Sequence, residues 1–216
     1  VFAKEDKRLT TLSSAPDIDY DPTEILAEKE PITVICSVNG WVRAMKGHVD
    51  TEQEFKFKEG DDKAFVFHAE TTDKILAFAD NGRFYTLSGD KLPKGRGFGE
   101  PLNLMIDLPA DATLIAMFKA SSGKMLVAAT SGHGFIVETD QALAQKKNGK
   151  QVLNVSGDVK AAACCPADGD SVAVVGVNRK LVIFDIDEVP VLGRGRGVIL
   201  QRYKDCVLAD IKVFNK

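Results

Sequence analysis

Apolar residues along this 216-residue chain fall in short dense runs that face each other across a polar turn, and the pair recurs four times. The first copy is Ile32-Thr33-Val34-Ile35-Cys36, a turn through Asn39-Gly40, then Trp41-Val42-Arg43-Ala44. The second runs from Lys74 to Leu87 around Asn81-Gly82, the third from Lys124 to Val137 around Ser131-Gly132, the fourth from Ser171 to Phe184 around Asn178-Arg179. Runs this short, dense in Val, Ile, Leu and Phe, suit a pleated surface buried on one or both faces. Asn and Gly tolerate the positive φ angles of a tight hairpin turn. Each copy therefore predicts a β-hairpin. Pro22 to Lys29 is the one predicted helical turn.

Basic turns recur with the hairpins: Gly95-Arg96-Gly97-Phe98-Gly99, Lys146-Lys147-Asn148-Gly149-Lys150 and Gly193-Arg194-Gly195-Arg196-Gly197. Their spacing of about 50 residues marks a stacked or radial array of like units. Blade-like modules around an axis leave only short, protected strand edges. The chain is thus predicted all-β, with four blades over residues 31–216. Residues Val207 to Phe214 read as the opening strand of a fifth, so that the sequence stops mid-repeat. Residues 1–30 are polar and acidic, without a hairpin signal, and read as an arm or linker packed outside the array. A shared period leaves no boundary for a second domain.

Charge changes the picture only when it is counted by segment. The net is −3, which by itself argues against a strongly nucleic-acid-binding chain. Residues 1–60 carry 8 basic and 12 acidic side chains, residues 61–120 carry 7 and 9, and residues 121–216 carry 13 and 10. The nets of −4, −2 and +3, with basic residues gathered in the glycine turns, predict a positive rim on an acidic body. Cys36, Cys164, Cys165 and Cys206 lack metal-ligand spacing and read as free thiols of a reducing cytoplasm. No apolar run approaches the roughly 20 residues of a membrane span. His48, His68 and His133 are widely separated, so no metal site is expected.

Several stretches resemble one known family. Glu30-Pro31-Ile32-Thr33-Val34-Ile35, followed by Asn39-Gly40-Trp41-Val42-Arg43-Ala44-Met45-Lys46-Gly47-His48, is similar to the opening of the C-terminal domain of ParC, the A subunit of bacterial DNA topoisomerase IV. Leu92 to Leu102 resembles the loop after that family's second blade. Ser131 to Phe135 with Lys146 to Lys150 resembles its third, and Gly193 to Leu200 its fourth. The likeness runs from about residue 8 to the end. It implies a β-pinwheel, a propeller-like array of four-stranded blades with strands exchanged between neighbours, its last blade open or cut short.

The resemblance also implies non-sequence-specific binding and bending of duplex DNA on the outer rim, which tunes the choice among DNA crossings. The implied partners are DNA, the rest of the ParC chain and the ParE subunit in a heterotetramer. The implied setting is the bacterial cytoplasm, at the nucleoid. No cofactor is expected in this fragment; the holoenzyme is expected to need ATP and magnesium. The Gln-Arg-Arg-Gly-Gly-Lys-Gly box of the related gyrase A domain is missing, which favours ParC and weak or no stable wrapping. The family cuts DNA with a tyrosine beside an arginine in another domain. Arg202-Tyr203 reproduces the dipeptide but not its surroundings, so this fragment is expected to be non-catalytic.

Glycine lets backbone approach a phosphate, while Arg and Lys neutralise its charge and release counterions. The predicted DNA contacts are Arg96 and Arg194 first. Arg43, Lys46, Arg83, Lys94, Lys146, Lys147, Lys150, Arg179, Lys180, Arg196 and Arg202 follow. A solvated connection with incidental charge is the alternative for any single loop, and recurrence weakens it. Trp41 has two readings, blade core or a stacking platform for bases. Gly95 to Gly99 is no dinucleotide loop, since Pro101 and a β-rich run follow where a helix would stand. A competing class is a propeller that binds protein, which a mixed face with an apolar patch would indicate.

Overall fold

The computed structural model describes residues 28–95 and 97–216. The expected acidic arm and the helical turn at Pro22 to Lys29 fall outside the described residues, save for Glu28, Lys29 and Glu30. Among the described residues fifteen strands follow in chain order. The first unit holds β1 (Pro31–Ser37), β2 (Trp41–Lys46) and β3 (Lys63–Glu70). Next come β4 (Lys74–Ala79), β5 (Arg83–Ser88), β6 (Glu100–Pro101) and β7 (Leu114–Lys119). The third group is β8 (Lys124–Ala129), β9 (His133–Glu138), β10 (Lys150–Gln151) and β11 (Ala161–Pro166). The last is β12 (Ser171–Gly176), β13 (Leu181–Asp185), β14 (Val198–Ile199) and β15 (Leu208–Phe214).

All four expected hairpins are present as antiparallel pairs: β1–β2, β4–β5, β8–β9 and β12–β13. Each turn closes through the same bond, Gly40, Gly82, Gly132 and Arg179 donating to the carbonyls of Ser37, Ala79, Ala129 and Gly176. Arg179 holds a φ of 62° where the other three units place glycine. The first strand of each hairpin also pairs with a later strand, giving β1–β3, β4–β7, β8–β11 and β12–β15.

The far side of each of the first three hairpins is filled from elsewhere in the chain. β6 follows the second hairpin yet pairs with β2, β10 follows the third yet pairs with β5, and β14 follows the fourth yet pairs with β9. This exchange makes the sheet orders β3-β1-β2-β6, β10-β5-β4-β7, β11-β8-β9-β14 and β13-β12-β15. The fold is an all-β pinwheel of antiparallel sheets. The tail expected to open a fifth unit lies in the fourth sheet, on β12, where β3, β7 and β11 lie in theirs. Among the described residues no strand pairs with the outer edge of β13.

Side-chain alternation explains why the strands read as continuous apolar runs. Ile75, Ala77 and Ala79 of β4 pack toward the first sheet, against Ile32, Val34, Val42 and Ala44. Leu76 and Phe78 of the same strand pack toward the third, against Met125, Val127, Phe135 and Val137. In β8 the alternate residues Leu126 and Ala128 meet Val172 and Val174 of the fourth sheet. A strand buried on both faces loses the apolar–polar alternation of a half-exposed one. Three inter-sheet cores result. Among the described residues none of these clusters joins the fourth sheet to the first. A short helical turn at Thr139–Ala142, absent from the sequence expectation, follows β9.

Candidate nucleic-acid interface

Each exchanged strand is delivered by a glycine turn, and each turn docks in the same way. Gly99, Gly149 and Gly197 immediately precede β6, β10 and β14, with φ of 89°, 69° and 79°. A Cβ on any of them would run into backbone of the receiving hairpin: Val42, Phe84 and Gly134, equivalent positions in three units. Three residues later a buried apolar side chain pins the strand: Leu102, Val152 and Leu200. The glycine that closes each turn is thus a docking residue. Gly97, by contrast, has open space around it.

The second and third turns are also tied to the segments that follow the preceding exchanged strands. Asp107, in the segment that follows β6, donates from its backbone N to the carbonyl of Lys147 in the second turn at 2.9 Å. Past the second turn, Asn154 N donates to the carbonyl of Gly195 in the third at 2.7 Å, and Gly195 N donates to the carbonyl of Val152 at 3.0 Å. Arg194 adds a bond from Nε to Asn154 Oδ1 at 3.2 Å. Three segments far apart in sequence therefore form one connected ridge. Lys94, Lys146, Lys147, Lys150, Arg194 and Arg196 are exposed on it. Among the described residues none of these six makes an ion pair. An array of exposed cations outside ion pairs suits a polyanion.

The other predicted residues are placed differently. Arg43 is only 6% exposed. It donates from Nη1 to the Gly97 carbonyl and from Nη2 to the Lys56 carbonyl at 3.1 Å. The sequence reading of Arg43 as a phosphate contact gives way to that of a tether. Arg83 is half-buried and donates from Nη1 to the Asn148 carbonyl at 2.9 Å, tying the second turn. Lys46 is exposed but its Nζ is paired with Glu30 at 2.9 Å. Arg179, Lys180 and Arg202 are exposed around the fourth hairpin. Arg96 lies outside the described residues. Trp41 is half-buried with the Lys58 ammonium 3.2 Å from its ring centroid, so one face of the indole is occupied by a cation.

His133 occupies the position of Trp41 and Arg83 in the third hairpin, a place to which the sequence alone assigns no role. Its Nδ1 lies 3.1 Å from Ser131 Oγ. Burial first, then the nearby Arg196 charge, hold its pKa below the ordinary histidine value. Burial pushes the Cys36 thiol up to about 12 and Cys165 to about 11, as suits inert core thiols.

The family model for the DNA gyrase C-terminal domain, a beta-propeller, matches residues 73–121 and 170–207. The A subunit of DNA topoisomerase 4 from Caulobacter vibrioides is 47% identical over 208 residues, which cover 95% of this chain and 27% of that protein. The chain belongs to the family of C-terminal domains found in the A subunits of gyrase and topoisomerase IV. It spans about a quarter of the length of the curated relatives it matches. In fold it is similar to the E. coli ParC C-terminal domain, with a TM-score of 0.78 over 84% of this chain and 78% of the other at 24% identity. The DNA gyrase A C-terminal domain aligns less closely, at 0.59 over 84% and 64% with 15% identity. Within this family fold, the basic ridge is built from the exchanged-strand turns themselves.

Proposed function

We propose that this chain is a DNA-positioning domain from the A subunit of a bacterial topoisomerase IV. It binds duplex DNA through phosphates along the ridge, bends it modestly and presents crossings to a catalytic core that lies elsewhere in the enzyme. The observation that carries this reading is the connected ridge with six exposed cations that make no ion pair among the described residues. Phosphate contacts fix register on the duplex but carry no sequence information, so binding is independent of sequence. Bending a site of 20–30 bp by 40–90° costs roughly 1–6 kcal/mol, and the chain's net charge of −3 leaves little surplus for stable wrapping.

The working enzyme on this reading joins ParC to ParE in a heterotetramer in the cytoplasm, with ATP and magnesium serving its other domains. Among the described residues no helix is long and apolar enough to cross a membrane. Relaxation and decatenation by the holoenzyme with and without residues 31–216 test the proposal. Retained cleavage with altered preference among supercoiled and crossed substrates supports it. Equal rates on every topological substrate would overturn it.

A further inference from the structure

Phe98 is the one aromatic side chain among the exposed large hydrophobic residues described, at 47% exposure. It stands at the tip of the first turn, between Gly97 and Gly99. Both neighbours are fixed to the sheet beneath. The Gly97 carbonyl accepts the buried Arg43 guanidinium, and Gly99 lies against Val42 backbone with no room for a side chain. The ring is therefore carried on anchored backbone and left half-exposed, and Phe98 lines a cavity of about 190 Å³ together with Arg43, Pro93, Lys94 and Glu100. The second and third turns, Lys146 to Gly149 and Gly193 to Gly197, carry no aromatic residue.

We propose that Phe98 is a wedge that enters a base step of bound duplex DNA and sets where the duplex bends. The inference rests on the DNA-binding reading above. Apolar side chains pushed between base pairs unstack them and kink the duplex, and such a wedge works where flanking cations hold the phosphates. An apolar ring on a cationic, water-exposed ridge gains nothing from the solvent. A partly unstacked base step offers it an apolar face. The bend is then concentrated at the first blade, while the second and third turns hold the DNA by charge alone. Pyrimidine–purine steps, the easiest to unstack, are the preferred entry points.

The test uses the 216-residue chain and end-labelled duplexes that carry a central TA step or an A-tract, read by energy transfer between the ends, with affinity measured over a salt series. Phe98→Ala is expected to bind within about threefold of wild type with an unchanged salt slope, and to lose most of the end-to-end approach at saturation. Phe98→Trp is expected to keep the bend and to show indole emission quenched by DNA beyond that of wild type. Phe98→Ala that binds and bends like wild type overturns the wedge but leaves the ridge intact. An unquenched Phe98→Trp also overturns it. Loss of association with another protein, with bending unchanged, assigns Phe98 to a protein contact and overturns the wedge as well. Failure of the wild-type chain to bind either duplex at low salt would instead sink the DNA-binding reading on which the wedge depends.

Discussion

Arg43 and Gly97 are joined by a bond from the arginine Nη1 to the glycine carbonyl, across 54 residues of sequence. The guanidinium is buried and a second donor, Nη2, is taken by the Lys56 carbonyl at 3.1 Å. It fixes a turn whose exposed neighbours carry the charge. Arg43→Ala leaves two carbonyls without their partner, and the expected loss is about 1–3 kcal/mol of stability in urea unfolding. DNA affinity is expected to fall too, through a loosened turn. The slope of log K against log salt should not change, because no phosphate neutraliser is removed. Arg194→Ala is expected to behave in the opposite way, with little stability loss and a slope shallower by about 0.9.

Two glycines of one turn make a second prediction. Gly197 has a φ of 79° and its Cβ position is filled by the Gly134 backbone, whereas a Cβ on Gly195 meets nothing nearer than 3.8 Å. Gly197→Ala is expected to cost about 2 kcal/mol or more and to detach β14 from β9. Gly195→Ala should stay within roughly 0.5 kcal/mol of wild type. Thermal unfolding of the pair decides it, and equal losses would contradict the docking role of Gly197.

His133 gives a pH dependence. Its folded pKa is depressed by burial and by Arg196, so the unfolded chain binds the proton more readily. Its contribution to stability is therefore complete above the unfolded value of about 6.5 and is lost as pH falls from there toward the folded value. Proton NMR of the imidazole should show titration below that of a model histidine. Adding duplex DNA should move the titration upward, because phosphates screen Arg196 and favour the charged ring. A DNA-insensitive His133 would place it off the interface.

The hairpins are legible in the sequence because their apolar runs and Asn-Gly turns are local features, and each expected pair forms. The exchanged strands are not. Glu100-Pro101, Lys150-Gln151 and Val198-Ile199 are too short to carry a period, and their partners lie in a hairpin well back in the sequence. A signal exists nonetheless: a glycine, two strand residues, then a large apolar residue, as in Gly99 to Leu102, Gly149 to Val152 and Gly197 to Leu200. The basic turns read as phosphate loops, and their described cations are exposed. The structural duty of their closing glycines and the burial of Arg43 depend on packing between units, which no local pattern records. In β2 the consecutive Val42, Arg43 and Ala44 are all buried, so alternation does not set the arginine apart.

The central claim is that the ridge neutralises DNA phosphates. Its most direct test is equilibrium binding of duplex DNA over a salt series, comparing wild type with the triple variant Lys94→Glu/Lys147→Glu/Arg194→Glu, one change in each turn. The account predicts a linear fall of log K with log salt at about 0.9 per neutralised phosphate for wild type. For the triple variant it predicts an affinity at least about a hundredfold weaker at low salt and a slope shallower by about three contacts, with the fold retained. Unchanged affinity of a folded triple variant at low salt, or a flat salt dependence of the wild type, would contradict it.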